Sequence, residues 1–258
     1  MCEEVILKAE NIEKVFKLEG YLGTSLGKKK AVDDVSFNLK RGEILGIVGE
    51  SGSGKTTLAK IICNLEKQTS GRIVWYLDTV RRKYSNAQMV FQNPFSSLNP
   101  KLNIRYMMKE AISCGTGIGV FSVKDEQVRS VLSKVGMEDI DLMNYPHQFS
   151  GGQRQRLGIA RSLSLGPEVI VCDEPVSALD ISVQAQIINL LIEINRDMKL
   201  TIIFIAHDIE VIGVVSHNIM VMKGGKVVEY GNKKNILDDP KSEYTKLLLD
   251  SVPKNPWI

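Results

Sequence analysis

An α/β fold is predicted by three features of the sequence. Short apolar runs of strand length, such as Ile44 to Val48 and Val169 to Cys172, alternate with segments whose apolar residues recur at helical spacing. A glycine-rich stretch, GESGSGKTT from Gly49 to Thr57, lies between one such run and one such helix. After an interruption from 93 to 145 the alternation of strand and helix resumes.

In chain order, the first elements read as strands: Val5 to Ala9, the alternation Val35, Phe37, Leu39, and Ile44 to Val48. Between the first two, KLEGYLGTSLGKKK (Lys17 to Lys30) carries three glycines and a lysine triplet, the composition of a solvated hairpin or loop. Lys55 to Leu65 is helical in pattern, and Arg72 to Trp75 and Ala87 to Phe91 are further strands. From Asn93 the texture changes: NPFSSLNP is turn chemistry, and the stretch to Tyr145 mixes helical pieces with SCGTGIG. That GTGIG lacks both a preceding strand and the full G-x-G-x-x-G spacing, so it reads as a loop.

A helix from Gln153 to Leu165, stopped by Gly166-Pro167, and the strand Val169 to Cys172 follow. The next helix gathers Val183, Ile187, Leu190, Leu191, Ile194 and Met198 on one face and leads to strand Thr201 to Ala206. A short helical stretch from Asp208, a hairpin turning at Gly224-Gly225 and an amphipathic piece around Tyr244 to Leu249 complete the pattern. The expected organisation is a core of residues 1–92 and 146–235 with an N-terminal β subdomain, a mainly helical insertion at 93–145, and a short helical tail at 236–258.

Bulk properties exclude several functions. With 33 Lys+Arg against 30 Asp+Glu, the formal charge of +3 is too balanced to argue for nucleic acid or an acidic membrane surface. No nucleic-acid partner is expected. Four cysteines at 2, 63, 114 and 172 form no C-x-x-C pair, which fits neither a disulfide framework nor a zinc or iron-sulfur site and suits a reducing cytosol. The N-terminal MCEEVILKAENIEK lacks the basic flank and apolar stretch of a signal peptide, and no apolar run approaches the ~18 to 20 residues of a membrane span. Any service to a membrane is expected from outside the bilayer.

The glycine-rich stretch is the first candidate site. A strand running into G-x-x-x-x-G-K-T and then a helix is the context in which backbone N–H groups cradle phosphate. Gly49, Ser51, Gly52, Ser53, Gly54 and Thr57 form the cradle; Lys55 reaches the β- and γ-phosphates and the Thr56 hydroxyl suits Mg²⁺. A P-loop fold also needs a carboxylate at the end of a neighbouring buried strand, and VIVCDE supplies Asp173 for the metal. Glu174 beside it suits a residue that orients or deprotonates the attacking water. A second phosphate-cradling turn, FSGGQRQR from Phe149 to Arg156, also opens a helix.

Taken in order, GESGSGKTT, Gln92 after a strand, FSGGQRQR, VIVCDEP, SALD and IAHD resemble the nucleotide-binding domains of ABC ATPases, and the likeness spans nearly the whole chain. It implies an α/β P-loop NTPase fold of the ABC type with antiparallel β and helical subdomains, using ATP and Mg²⁺. By the same resemblance Gln92 senses the metal and the attacking water, and His207 contacts the γ-phosphate. Ser150, Gly151, Gly152 and Gln153 close over nucleotide held by a second ATPase subunit, and Asp180 crosses to the opposing site. One chain then supplies two half-sites, which accounts for its two phosphate motifs. Where the family commonly stacks an aromatic ring on adenine, EKVFK offers Val15 at the aligned position and Phe16 beside it; Phe16 is the candidate. His147 and His217 read as structural.

Within that family, the insertion after Lys17, MVFQNPFSSLNP, YPHQFSGGQRQRLGIARSL and the tail SEYTKLLLDSVP resemble ATP-binding subunits of oligopeptide, dipeptide and nickel importers. The implied partners are a second ATPase subunit, identical or paralogous, two membrane-spanning permease subunits and, indirectly, an extracytoplasmic solute-binding protein. The implied place is the cytoplasmic face of the membrane. An ABC ATPase without a transport task, such as a subunit of a phosphonate-degrading complex, is the alternative.

Overall fold

A computed structural model describes residues 4–19, 25–76, 86–92 and 98–251. Its elements in chain order are β1 (Val5–Glu19), β2 (Ser25–Lys40), β3 (Ile44–Val48), α1 (Lys55–Ile62), β4 (Ser70–Trp75), β5 (Ala87–Val90), α2 (Ile104–Thr116), α3 (Asp125–Ser133), α4 (Gly151–Ser164), β6 (Val169–Asp173), α5 (Ile181–Met198), β7 (Thr201–Ala206), α6 (Ile209–Val215), β8 (Asn218–Lys223), β9 (Lys226–Asn232), α7 (Lys233–Asp238) and α8 (Glu243–Asp250). The chain divides into two compact units, residues 1–80 with 203–258, and residues 81–202.

The first unit holds an antiparallel sheet in the order β2-β1-β4. The strand expected at Val5 to Ala9 runs on to Glu19. Its alternation is hidden in the sequence by a register shift between Ala9 and Ile12, where Asn11 takes a left-handed φ of 48° and its side-chain amide donates to Asp34 at 2.7 Å. Of the hairpin or loop that composition offered for Lys17 to Lys30, the described residues form hairpin arms: Lys28, Lys29 and Lys30 lie in strand β2, opposite Lys17, Phe16 and Val15. Lys30 is tied to Glu13 at 2.7 Å and to Asp33. Residues 20–24 of that stretch lie outside the described residues.

The same unit contains β3 parallel to β8, with β9 antiparallel beside β8. All five residues of β3 are buried, as a strand covered on both faces requires, which is why it reads as an unbroken apolar run. His217 is structural: its ring Nδ1 accepts from Ile44 N at 2.9 Å and its backbone N–H donates to Ile44 O at 2.8 Å. Helix α1 ends three residues before Leu65, because Asn64 turns to φ 57°.

In the second unit β5 and β6 pair in parallel from Ala87↔Val169 to Val90↔Cys172. Asn103 caps α2 by accepting from Tyr106 N at 2.9 Å. Gly117, at φ 77°, ends it, so Gly115 and Thr116 of the GTGIG stretch are helical rather than loop. A Cβ at Gly115 would meet Ser164 O of α4 at 2.4 Å, so that position needs the small residue. On α5, Ile187, Leu190, Leu191 and Ile194 are buried as the periodicity predicts, while Met198 is exposed. Most of NPFSSLNP lies outside the described residues.

Candidate active site

Each unit carries its own part of the chemistry. In the first, β3 delivers the chain into a loop that the neighbouring backbone grips. A Cβ at Gly49 would fall 2.1 Å from Met222 O, and one at Gly54 (φ 103°) would fall 2.2 Å from Ala31 O, so both positions need glycine. Gly225 N donates to Ser53 O at 3.0 Å, and Ser53 N to Glu50 O at 3.1 Å. Inside this frame Lys55 is 4% exposed, and its ammonium donates to Gly49 O at 2.6 Å and Glu50 O at 2.9 Å. The Ser53 hydroxyl is buried with no hydrogen-bond partner among the described residues. A buried cation solvated by carbonyls, beside an orphaned hydroxyl and the N-terminus of α1, is a site made for an anion.

Thr56 and Thr57 sit in the first turn of α1, Thr56 exposed and Thr57 half-buried, while Ser51 and Gly52 are exposed on the loop. Phe16 is exposed on β1, with the Lys14 ammonium 4.9 Å from its ring centroid. Lys14 is itself held by Glu66 at 2.6 Å and Lys67 O at 2.7 Å, and Val15 N donates to Thr69 Oγ1 at 3.0 Å. His207 is exposed just past β7, where Asp208 caps α6 by accepting from Glu210 N at 2.8 Å.

In the second unit, Asp173 is buried at the end of β6 and Glu174 follows with a left-handed φ of 47°, an uncommon state for a non-glycine residue. The Gln92 amide donates to Glu174 Oε2 at 2.9 Å and to Ser177 Oγ at 3.3 Å, and the Ser177 hydroxyl donates to Glu174 O at 3.1 Å. Gln92 and Glu174, separated by most of the unit in sequence, are thus brought together. Ser177, the first residue of SALD, joins them and was not singled out from sequence. Ser150 caps α4: its hydroxyl accepts from Gln153 N at 3.3 Å while Gln153 Oε1 accepts from Ser150 N at 2.9 Å. A Cβ at Gly152 would meet Val183 at 2.5 Å and one at Gly151 would meet Leu179 at 3.2 Å, which sets this turn beside the SALD segment and its exposed Asp180.

One further contact had no sequence signal beyond the tail phrase itself. Tyr244, on α8, accepts through its hydroxyl from Glu50 N of the loop at 3.1 Å.

A glycine loop that clamps a buried lysine at the start of a helix, in a chain whose other unit ends a buried strand in Asp-Glu, defines a P-loop nucleotide-binding protein. Residues 32–177 match the model of the ABC transporter family, and the chain belongs to that family. It is 43% identical to the oligopeptide transport ATP-binding protein AppF of Bacillus subtilis, over 97% of this chain and 79% of that protein. It is 38% identical to the dipeptide transport ATP-binding protein DppF of Escherichia coli, over 98% and 78%. Among solved structures, cbiO1 from Clostridium perfringens, part of the ABC transporter complex cbiONQ, superposes with a TM-score of 0.72 at 28% identity, covering 92% of each chain. The dimeric bacterial ABC transporter cassette MJ0796 does so with a TM-score of 0.72 at 28% identity, covering 88% of this chain and 99% of that one. The chain is an ABC ATPase whose nucleotide hydrolysis is coupled to transport. Among the described residues, no helix is long and apolar enough to cross a membrane.

Proposed function

We propose that this chain powers import of peptides, or of nickel and related solutes, by hydrolysing ATP at composite sites shared with a second ATPase subunit. The observation that carries the proposal is the cradle around Lys55, a buried ammonium held by Gly49 and Glu50 carbonyls next to the orphaned Ser53 hydroxyl. A triphosphate offers both groups charged oxygen partners that the loop lacks.

In this reading the loop from Gly49 to Gly54 with Thr57 holds the phosphates, Lys55, aimed by the Gly49 carbonyl, reaches the β- and γ-phosphates, and Phe16 stacks on adenine. Glu174, steadied by Gln92, orients and deprotonates the attacking water, and His207 contacts the γ-phosphate. Ser150, with the N–H groups of Gly151 and Gly152, closes over the γ-phosphate of the partner's nucleotide, Gln153 holds that turn in shape, and Asp180 lies beside the opposing site. Thr56, Gln92 and Asp173 offer the oxygen donors that Mg²⁺ takes, and the ion, when bound, offsets phosphate charge. Hydrolysis removes the contacts that hold two subunits together, so the pair opens.

The functional partition is part of the proposal: a core of 1–92 and 146–235, a helical subdomain of 93–145 and a tail of 236–258. Gln92 and the helical subdomain pass the motion to two permease subunits at the cytoplasmic face of the membrane, and a solute-binding protein outside selects the cargo. The test is reconstitution with the two permease subunits in vesicles. ATP-dependent accumulation of a peptide that is lost with Glu174→Gln is the expected result. A soluble complex without membrane subunits, or ATP hydrolysis with no solute movement for peptides or nickel, contradicts the proposal.

A further inference from the structure

We infer that Tyr244, on the C-terminal helix α8, is a positioning residue for the P-loop lysine, acting through the single peptide unit that joins Gly49 to Glu50. The inference rests on the reading of that loop as the ATP phosphate cradle.

A trans peptide points its N–H and its C=O in opposite directions, and resonance keeps the two in one plane. In the Gly49–Glu50 peptide the C=O accepts from Lys55 Nζ at 2.6 Å and the N–H donates to Tyr244 Oη at 3.1 Å. The phenol and the ammonium therefore grip one rigid plane from its two ends. Freeing the N–H lets the plane rotate, and the carbonyl that aims Lys55 rotates with it. Gly49, at φ 155°, has the backbone freedom for that rotation, so the orientation has to be imposed from outside the loop.

The tyrosine is built into place. The residue is 7% exposed, and its ring lies under the Lys223 ammonium, 4.4 Å from the centroid. The start of α8 is pinned to β9, where the Glu229 carboxylate accepts from Lys241 N at 2.7 Å and from Ser242 N at 3.1 Å. Ser242 caps the helix by accepting from Tyr244 N at 3.2 Å. Burial raises the pKa of the phenol, so it stays neutral throughout the physiological range and serves as an acceptor to the amide. The hydroxyl's partners are the amide and the side chain of Glu50, and a phenylalanine would fill the same buried space without meeting either.

The experiment uses the full chain with its partner ATPase subunit. Nucleotide affinity is read with a fluorescent ATP analogue, turnover by phosphate release, and folding by thermal unfolding. Tyr244→Phe is expected to weaken ATP binding and raise KM roughly three- to tenfold, the worth of one hydrogen bond, with kcat within about twofold. In a Lys55→Ala background the same change is expected to do nothing further, because the plane then has no lysine to aim. Lys223→Met, which keeps the hydroxyl, is expected to shift affinity less than Tyr244→Phe does. Wild-type affinity in a folded Tyr244→Phe protein, or an equal loss in both backgrounds, overturns the inference while leaving the cradle intact. A Lys55→Ala protein that binds ATP normally overturns the cradle reading itself.

Discussion

The helix starts at Lys55 and at Ser150 are both poised for an anion, and they are finished in different ways. At α1 the N-cap is Gly54, which has no side chain to give, and no acidic residue occupies the first turn. A buried lysine and an orphaned hydroxyl stand in front of it. At α4 the Ser150 hydroxyl and the Gln153 amide cap each other's backbone, so the turn is stable by itself. In front of it the described residues place no lysine clamp of the kind that Lys55 forms. The first start carries a clamped lysine and the second a self-sufficient cap, which is the difference expected under the proposal that one chain lends each of its two motifs to a different pocket.

The largest expected break in that comparison comes from neither helix. Glu174→Gln keeps the hydrogen-bonding shape toward Gln92 but removes the carboxylate proposed as the base, and turnover is expected to fall roughly 10²- to 10³-fold while ATP still binds. Phosphate release measured alongside nucleotide affinity checks it. Next is Gly54→Ala, which places a Cβ against Ala31 O at a φ of 103°. It is expected to cost about 2 to 3 kcal/mol in denaturant unfolding and to abolish ATP binding. The equivalent blow to the second helix is milder: Ser150→Ala loses one cap, about 1 kcal/mol, and leaves the ATP affinity of the dilute single chain unchanged.

The smallest effect lies away from both helices. Asp125 is held by Arg105 and Lys109, each at 2.8 Å, and these hydrogen bonds lower its pKa to about 2. Its folded pKa lies below the unfolded value, so the stabilisation is present above about pH 4 and is lost as pH falls through about 2. The side chain is 38% exposed, so Asp125→Asn is expected to cost only ~0.5 kcal/mol at neutral pH. The gap between variant and wild type should close in acid, which unfolding measured across that range checks.

Much of this was legible in sequence because the buried strands are short and uniformly apolar. Ile44 to Val48 and Thr201 to Ala206 coincide with β3 and β7, and Val169 to Cys172 misses β6 by its terminal Asp173 alone. What composition hid has physical causes. Asn11 interrupts the alternation of β1, and lysines on a two-stranded ribbon left hairpin and loop undecided because both faces of such a ribbon can meet water. Gly152 sits in the first turn of α4 despite poor helix propensity, where a Cβ would fall 2.5 Å from Val183, while one at Gly151 would press on Leu179 at 3.2 Å. Lys55, Asp173 and Glu174 were nameable because their chemistry is tied to local order. Ser177 and Tyr244 were not, since their hydrogen bonds to Gln92 and Glu50 join residues distant in the chain.

The central claim is that this polypeptide makes two halves of different pockets. The direct test is turnover per chain against protein concentration, titrated with itself and with the companion ATPase subunit of its transporter, for wild type and Ser150→Ala. Turnover per chain that rises with added partner, and falls with Ser150→Ala at saturating partner, is the predicted result. A turnover independent of concentration and partner, and indifferent to Ser150, would contradict it.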